Sequence, residues 1–110
     1  MTVNTEVDAG TCGFHTGVRA VSEDSQHVVF DIASECEKIR GVASALKAKG
    51  PLDAYQEISS ESQSVIMAVA RECLKGCCAG CAVPVGIFKA MQVAAGLALP
   101  KDISIEIACG

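Results

Sequence analysis

Residues 73–84 read Cys73-Leu-Lys-Gly-Cys77-Cys78-Ala-Gly-Cys81-Ala-Val-Pro84 and carry four of the seven cysteines of the chain. The stretch separates two segments with helical periodicity, so we place it at a junction between two helices. In the absence of a secretion signal, cysteines at this density more often bind a metal or exchange electrons than form stable disulfides. We therefore interpret the stretch as half of a cysteine-lined site. Cys12 and Cys36 are the candidates for the other half.

Length and composition favour one domain with an aliphatic core. The chain has 110 residues, of which 50% are hydrophobic, and it contains no Trp. A chain of this length builds one modest core, and here Val, Ile, Leu, Ala and Met must fill it. We predict a single cysteine-rich domain over residues 1–110.

The charges and the amino-terminal sequence restrict the partners. The net charge is -4, and the nine basic residues are scattered rather than clustered, which argues against a nucleic-acid partner. Residues 1–10 lack the basic and apolar regions of a signal peptide. No apolar run approaches the roughly 20 residues that span a bilayer. We expect a cytoplasmic protein without membrane association, and an unknown protein partner.

Three parts of the sequence have strand patterns. Residues 2–8 alternate weakly between apolar and polar side chains. Two strand-like runs flank the polar residues 23–26, which predicts a β-hairpin from about Gly17 to Ala33. Residues 103–107 alternate Ile with Ser and Glu, which predicts a terminal strand that could pair with the amino-terminal sheet.

Three segments have helical signals. Ser34 with Glu37, and Ser60 with Gln63, form capping-box patterns at the start of two apolar stripes, and Pro84 suits the first turn of a third helix. Residues 52–58 fit either a short helix or an ordered loop. The expected fold is α+β, with a small antiparallel sheet (the hairpin plus the terminal strand) and about three helices packed on one face.

The predicted metal ligands are Cys12, Cys36, Cys77 and Cys81. Cys12 lies in a glycine-rich loop, Cys36 lies at a helix start, and Cys77 and Cys81 have the spacing usual for ligands. The two ends of the hairpin lie side by side, which brings Cys12 and Cys36 together. Four thiolates complete a tetrahedral site for zinc or hold an iron-sulfur cluster.

Other side chains compete with this set. Cys78 is an alternative to its neighbour Cys77 as the fourth ligand, and we expect one of the two to point away from the site. Cys73 is a further alternative, although it also fits the apolar stripe of its helix. Cys109 and His15 are weaker candidates.

No catalytic motif accompanies the cysteines. Paired carboxylates, a nucleophile elbow and a phosphate-binding loop are all missing from the sequence. A non-enzymatic metal-binding protein is therefore the preferred function. The alternative is a thiol redox protein or sulfur carrier, in which Cys36 at a helix N-terminus exchanges a disulfide or persulfide with Cys81. A third possibility is a structural subunit that the cysteines merely stabilise.

The order of these motifs resembles two related families. The layout consists of Thr11-Cys12, a hairpin, Cys36 at a helix start, and Cys81 leading through Pro84 into a helix. It is similar to that of TSCPD-type metal-binding domains. The layout is also similar, more distantly, to the NifU amino-terminal family of iron-sulfur cluster scaffolds. Ala79-Gly80-Cys81-Ala82-Val83-Pro84 stands where the first family has its name motif. The resemblance implies a metal or cluster at Cys12, Cys36 and Cys81, with Cys77 or Cys73 as the extra thiolate.

Overall fold

One four-stranded antiparallel sheet forms the first layer of the molecule, and the strands lie in the order β1-β2-β3-β4. A computed structural model describes all of residues 1–110. The strands are β1 (Thr2–Asp8), β2 (His15–Val21), β3 (His27–Ser34) and the short β4 (Leu52–Asp53). The predicted hairpin is confirmed, since Gly17 and Ala33 lie directly opposite each other in β2 and β3.

Helices form the second layer and cover one face of the sheet. They are α1 (Glu37–Lys49), α2 (Ala54–Glu57), α3 (Val65–Cys73) and α4 (Val83–Ala94). A short 3-10 turn (Gly76–Gly80) joins α3 to α4. Helix α1 packs on β3, α4 packs on β1 and β2, and α3 packs against both helices. The predicted α+β class is therefore confirmed, and residues 52–58 form β4 and the single turn α2.

The core between the two layers is aliphatic, as the composition predicts. Its largest fully buried side chains include Ile39, Leu46, Ile66, Ile87 and Met91. Buried residues recur three or four positions apart within the helices, because one stripe of each helix faces the core.

Two predicted helix starts are wrong by a few residues. Cys36, not Ser34, is the N-cap of α1, and the Ser34 hydroxyl instead accepts a hydrogen bond from the backbone N–H of Cys36 at 3.1 Å. Helix α3 begins after Ser64 rather than Ser60, and the Ser64 hydroxyl accepts from the N–H of Met67. Both serine hydroxyls accept hydrogen bonds from nearby backbone N–H groups, as short hydroxyl side chains often do.

The predicted terminal strand is also wrong. Residues 99–110 have no regular structure, and Ile103, Ile105 and Ile107 are exposed. The apolar alternation is present, but no neighbouring strand supplies hydrogen bonds to it. The tail was expected to pair with the amino-terminal sheet, whose two edges are formed by β1 and β4.

By length and composition alone, one stretch could cross a membrane. It is Gly76–Ala94, which has 19 residues and a mean hydropathy of 1.5. The expectation that no apolar run approaches this length is therefore wrong, because Cys and Ala raise the hydropathy of the stretch. In the fold these residues form the 3-10 turn and α4, whose inner side packs on the sheet. A buried core helix meets the same criterion as a membrane span.

Candidate metal and thiol site

The hairpin loop between β1 and β2 presents Cys12 at one end of the sheet. Gly10 and Gly13 both have positive φ angles, and the N–H of Gly13 donates to the carbonyl of Gly10 at 2.8 Å. The N–H of Gly10 donates to Asp8 Oδ1 at 3.0 Å. This tight turn, which glycine permits without strain, leaves Cys12 exposed at its tip.

Cys36 lies beside this loop, at the start of α1. Its N–H is bound by the Ser34 hydroxyl, which in turn contacts the Thr16 hydroxyl on β2 at 2.8 Å. The Arg40 guanidinium donates to the carbonyls of Ser34 and Glu35 at 3.1 and 3.0 Å. These bonds hold the half-buried Cys36 at a defined position at the end of the sheet.

The turn between α3 and α4 supplies three more thiols. Leu74 is buried and anchors the start of the turn, and Gly76 follows with a positive φ angle. The N–H of Cys81 donates to the carbonyl of Cys78 at 3.1 Å, which closes the turn immediately before α4. Cys78 and Cys81 are half-buried, and Cys77 is exposed.

These three elements border one groove of about 810 Å³. Five of the seven cysteines line it: Cys12, Cys36, Cys77, Cys78 and Cys81. Its apolar walls are formed by Ala9, Phe14, Ile39, Leu74 and Val83. All seven cysteines of the chain are free thiols.

The charged side chains of the groove come mainly from α1 and the residue before Cys36. These side chains are Glu35, Glu37, Lys38 and Arg40. The Lys38 ammonium donates to the Cys78 sulfur, with Nζ and Sγ 3.6 Å apart. A positive charge therefore lies beside the thiols, where it can attract an anionic ligand or thiolate.

The thiols share the groove without forming a closed coordination sphere. No three His, Cys, Asp or Glu side chains of the structure lie close enough together to hold a metal ion. The donor chemistry nevertheless suits soft metals, because sulfur is the preferred ligand of zinc and iron-sulfur clusters. Binding of a metal therefore requires the cysteine side chains, or the three elements that carry them, to move closer together.

The sequence of the chain matches, over residues 3–107, the model of a family of unknown function, DUF6951. The chain belongs to this family. No curated protein and no solved structure matches it. The matched region of this DUF6951 protein includes every residue that lines the groove.

In this DUF6951 member all four predicted ligands, Cys12, Cys36, Cys77 and Cys81, line the same groove, but no three of them form a metal-binding group. Cys78 lines the groove as well, so neither member of the adjacent pair is excluded from it. The sequence signal for that pair was ambiguous, since the direction of each side chain depends on the 3-10 turn.

The remaining candidates lie outside the groove. Cys73 packs against the core from the last turn of α3, and Cys109 lies in the exposed tail. His15 begins β2, where its N–H donates to Glu35 Oε1 at 3.0 Å. No sequence signal marks Lys38 as part of the site, because its contact with Cys78 joins residues 40 positions apart.

Proposed function

We propose that this protein is a non-enzymatic metal-binding protein that holds zinc or an iron-sulfur cluster through Cys12, Cys36, Cys77 and Cys81. The observation that carries the proposal is the grouping of five free thiols, from three separate parts of the chain, around one groove. The cysteine order, which resembles that of TSCPD-type and NifU amino-terminal domains, gives further support. Cys78 is the reserve ligand for the fourth position.

Chance burial of cysteines explains this arrangement poorly. Cysteine is often buried as a small apolar side chain, yet Cys12 and Cys77 are exposed. Exposed thiols gain nothing from the core, whereas thiols that face a shared groove are available to a ligand. Soft thiolates select zinc and iron-sulfur clusters over hard cations such as magnesium.

The test is metal analysis of anaerobically prepared protein, with an absorption spectrum to separate zinc from an iron-sulfur cluster. We expect zinc, or iron with sulfide, in a fixed ratio to protein. Cys12→Ser, Cys36→Ser and Cys81→Ser should each lower that ratio. Cys73→Ser and Cys109→Ser are matched controls outside the groove and should leave it unchanged. Anaerobic protein without metal that cannot be loaded with either would overturn the proposal.

A second candidate function is thiol redox exchange or sulfur transfer by Cys36 and Cys81. The observation that favours it is that Cys36 is the N-cap of α1, Cys81 lies two residues before α4 and both line the groove, while no three side chains form a metal-binding group. In the redox form, the Cys36 thiolate attacks a disulfide of an oxidised partner and releases one partner thiolate. The Cys81 thiolate then attacks the Cys36 sulfur, releases the second partner thiolate and leaves a Cys36–Cys81 disulfide.

Alkylation separates the two functions. A metal-bound site predicts slow alkylation of Cys36 until a chelator is added. Rapid alkylation of Cys36 in folded, metal-free protein, together with a Cys36–Cys81 disulfide after treatment with an oxidised dithiol, supports redox exchange instead. Cys73 provides an internal reference in the same peptide map.

A further inference from the structure

The tail, residues 99–110, exposes a row of large apolar side chains. The exposed fractions of Ile103, Ile105 and Ile107 are 56%, 69% and 94%. Between them lie Ser104 and Glu106, so one side of an extended tail is apolar and the other is polar. Such alternation is typical of a strand that buries one face, yet the tail pairs with no strand in its own chain.

The outer edge of β1 offers backbone groups for such a strand. β1 pairs only with β2, because it stands first in the sheet. At the two ends of this pair, Ser22 N–H donates to Met1 O and Ala9 N–H donates to Phe14 O, at 3.1 and 3.2 Å. In an antiparallel pair the bonded residues alternate with residues whose backbone groups face outward. The N–H and C=O groups of Asn4 and Glu6 therefore point to the free edge.

This edge has only part of the usual protection against strand addition, namely the charges of Glu6 and Asp8. β1 is seven residues long and contains no Pro and no Lys, the residues that commonly block exposed edges. Its inner side chains Val3 and Val7 are only partly buried against the core below α4. A strand added outside β1 would place an apolar face beside these valines and extend the covered side of the sheet.

We propose that the tail of one copy of this chain adds as a strand to the free β1 edge of a second copy. The donor and the acceptor belong to the same chain, so two copies can exchange tails reciprocally and close a twofold dimer. Most of the tail and most of β1 lie within residues 3–107, the region that the family model matches. Ala9, the residue after β1, lines the cysteine groove, but no residue of β1 or of the tail does, and the inference does not depend on the proposed metal.

The test measures the mass of the full chain in solution by light scattering over a range of concentrations. We expect a species of twice the 11.3 kDa chain mass. Ile105→Asp places a charge on the apolar side of the tail, and its matched control, Ser104→Asp, places the same charge on the polar side. We expect Ile105→Asp to weaken the dimer by about tenfold or more in Kd and Ser104→Asp to leave it nearly unchanged.

The acceptor edge is tested with Asn4→Pro. Proline removes only the outward N–H at this position and leaves the bonds to β2 intact, so the monomer should fold while the dimer is lost. Asn4→Thr keeps the N–H and serves as the control. Circular dichroism shows whether each variant is folded. If Asn4→Pro does not fold, the decisive result comes from Ile105→Asp, because Ile105 lies outside the core.

Three results would overturn the proposal. One is a parent protein that remains monomeric at about 100 μM and whose tail amides exchange rapidly with solvent. Another is a monomer with protected tail amides, which would show that the tail pairs within its own chain. The third is a dimer that both Ile105→Asp and Asn4→Pro leave intact.

Discussion

Gly86 of α4 lies directly over Val7 of β1, and a Cβ atom placed on Gly86 would be 2.5 Å from Val7 Cγ2. This contact lets the helix approach the sheet closely, because any larger residue would collide with a β-branched side chain that has few alternative rotamers. Both elements adjoin the groove, since Ala9, which follows β1, and Val83, which begins α4, line it.

We therefore predict that Gly86→Ala lowers the free energy of unfolding by about 1–3 kcal/mol through overpacking. Adding Val7→Ala should recover part of this loss, because it removes the colliding methyl groups. Gly41→Ala is the matched control, since Gly41 lies inside α1 and a Cβ atom placed on it would meet nothing within 4 Å beyond the backbone of its own helix. This control should be neutral or stabilising by up to about 1 kcal/mol. Urea unfolding of the four proteins measures these differences, and equal losses at both glycines would contradict the contact.

The Glu57 carboxylate supports the start of α3. It is buried, and its oxygens accept hydrogen bonds from the N–H groups of Val65 and Ile66 at 2.7 and 2.9 Å and from the Ser64 hydroxyl at 2.9 Å. Its negative charge also suits the positive end of the helix dipole.

Glu57→Ala should lower the free energy of unfolding by about 2–3 kcal/mol, because three donors at the helix start lose a charged acceptor. Glu57→Gln should cost less, since it keeps one acceptor oxygen. Exposed Glu61 provides the control, and Glu61→Ala should change stability by no more than about 0.5 kcal/mol. Denaturant titration measures all three, and similar stabilities for Glu57→Ala and Glu61→Ala would rule out this cap.

The Asp24–His27 pair predicts a pH dependence of the turn between β2 and β3. His27 Nδ1 and Asp24 Oδ2 are 2.7 Å apart. The hydrogen bond that the His27 ring donates to the Asp24 carboxylate raises the pKa of His27 above its ordinary value of 6.5. The hydrogen bonds from His27, first from its side chain and then from its backbone, lower the pKa of Asp24 well below 3.8.

The sign of the stability change follows from linkage. The contribution of His27 is complete below pH 6.5 and is lost as the pH rises through its raised pKa. The contribution of Asp24 is complete above pH 3.8 and is lost as the pH falls through its lowered pKa. NMR titration of the His27 ring should give a pKa above 6.5 in the parent and a lower one in Asp24→Asn. An unchanged His27 titration in Asp24→Asn would contradict the pairing.

If the groove holds a metal, its cysteines should also hold the fold together. Cys36→Ser or Cys81→Ser should lower metal content and melting temperature together, because the site joins the hairpin end, α1 and α4. A loss of about 1 kcal/mol moves the melting temperature of a domain near this size by about 4–8 °C. Cys109→Ser, in the exposed tail, should change neither quantity. A Cys81→Ser protein that melts with the parent would show that the site does not stabilise the fold.

Much of the fold was predictable because local patterns and tertiary contacts agree. The alternation in β1, the polar turn of the hairpin and the apolar stripes of α1, α3 and α4 all match the elements of the structure. The start of α3 was missed because its main cap, Glu57, lies eight residues before Val65 in sequence. A local capping pattern does not reveal an acceptor at that distance.

That Cys12 and Cys36 line one groove was predictable for a similar reason. Adjacent hairpin ends place Cys12 near Cys36, and both do line the groove. The outcome for Cys77 and Cys78 depended on how the buried Leu74 and the following turn orient two neighbouring side chains, which their spacing does not specify. The tail was mispredicted because alternation shows that a segment can form a strand but not which strand it pairs with, and the tail joins no strand of its own sheet.

The packing of α4 on β1 has a consequence for biosynthesis. The first strand of the chain and its last helix are neighbours in space, so the sheet lacks part of its cover until synthesis has passed Ala94. Cys12 and Cys36 leave the ribosome well before Cys77 and Cys81, and long-range closure of this kind is slow compared with hairpin formation. During translation the early thiols are therefore open to oxidation or to competing metals before Cys77 and Cys81 join them at the groove.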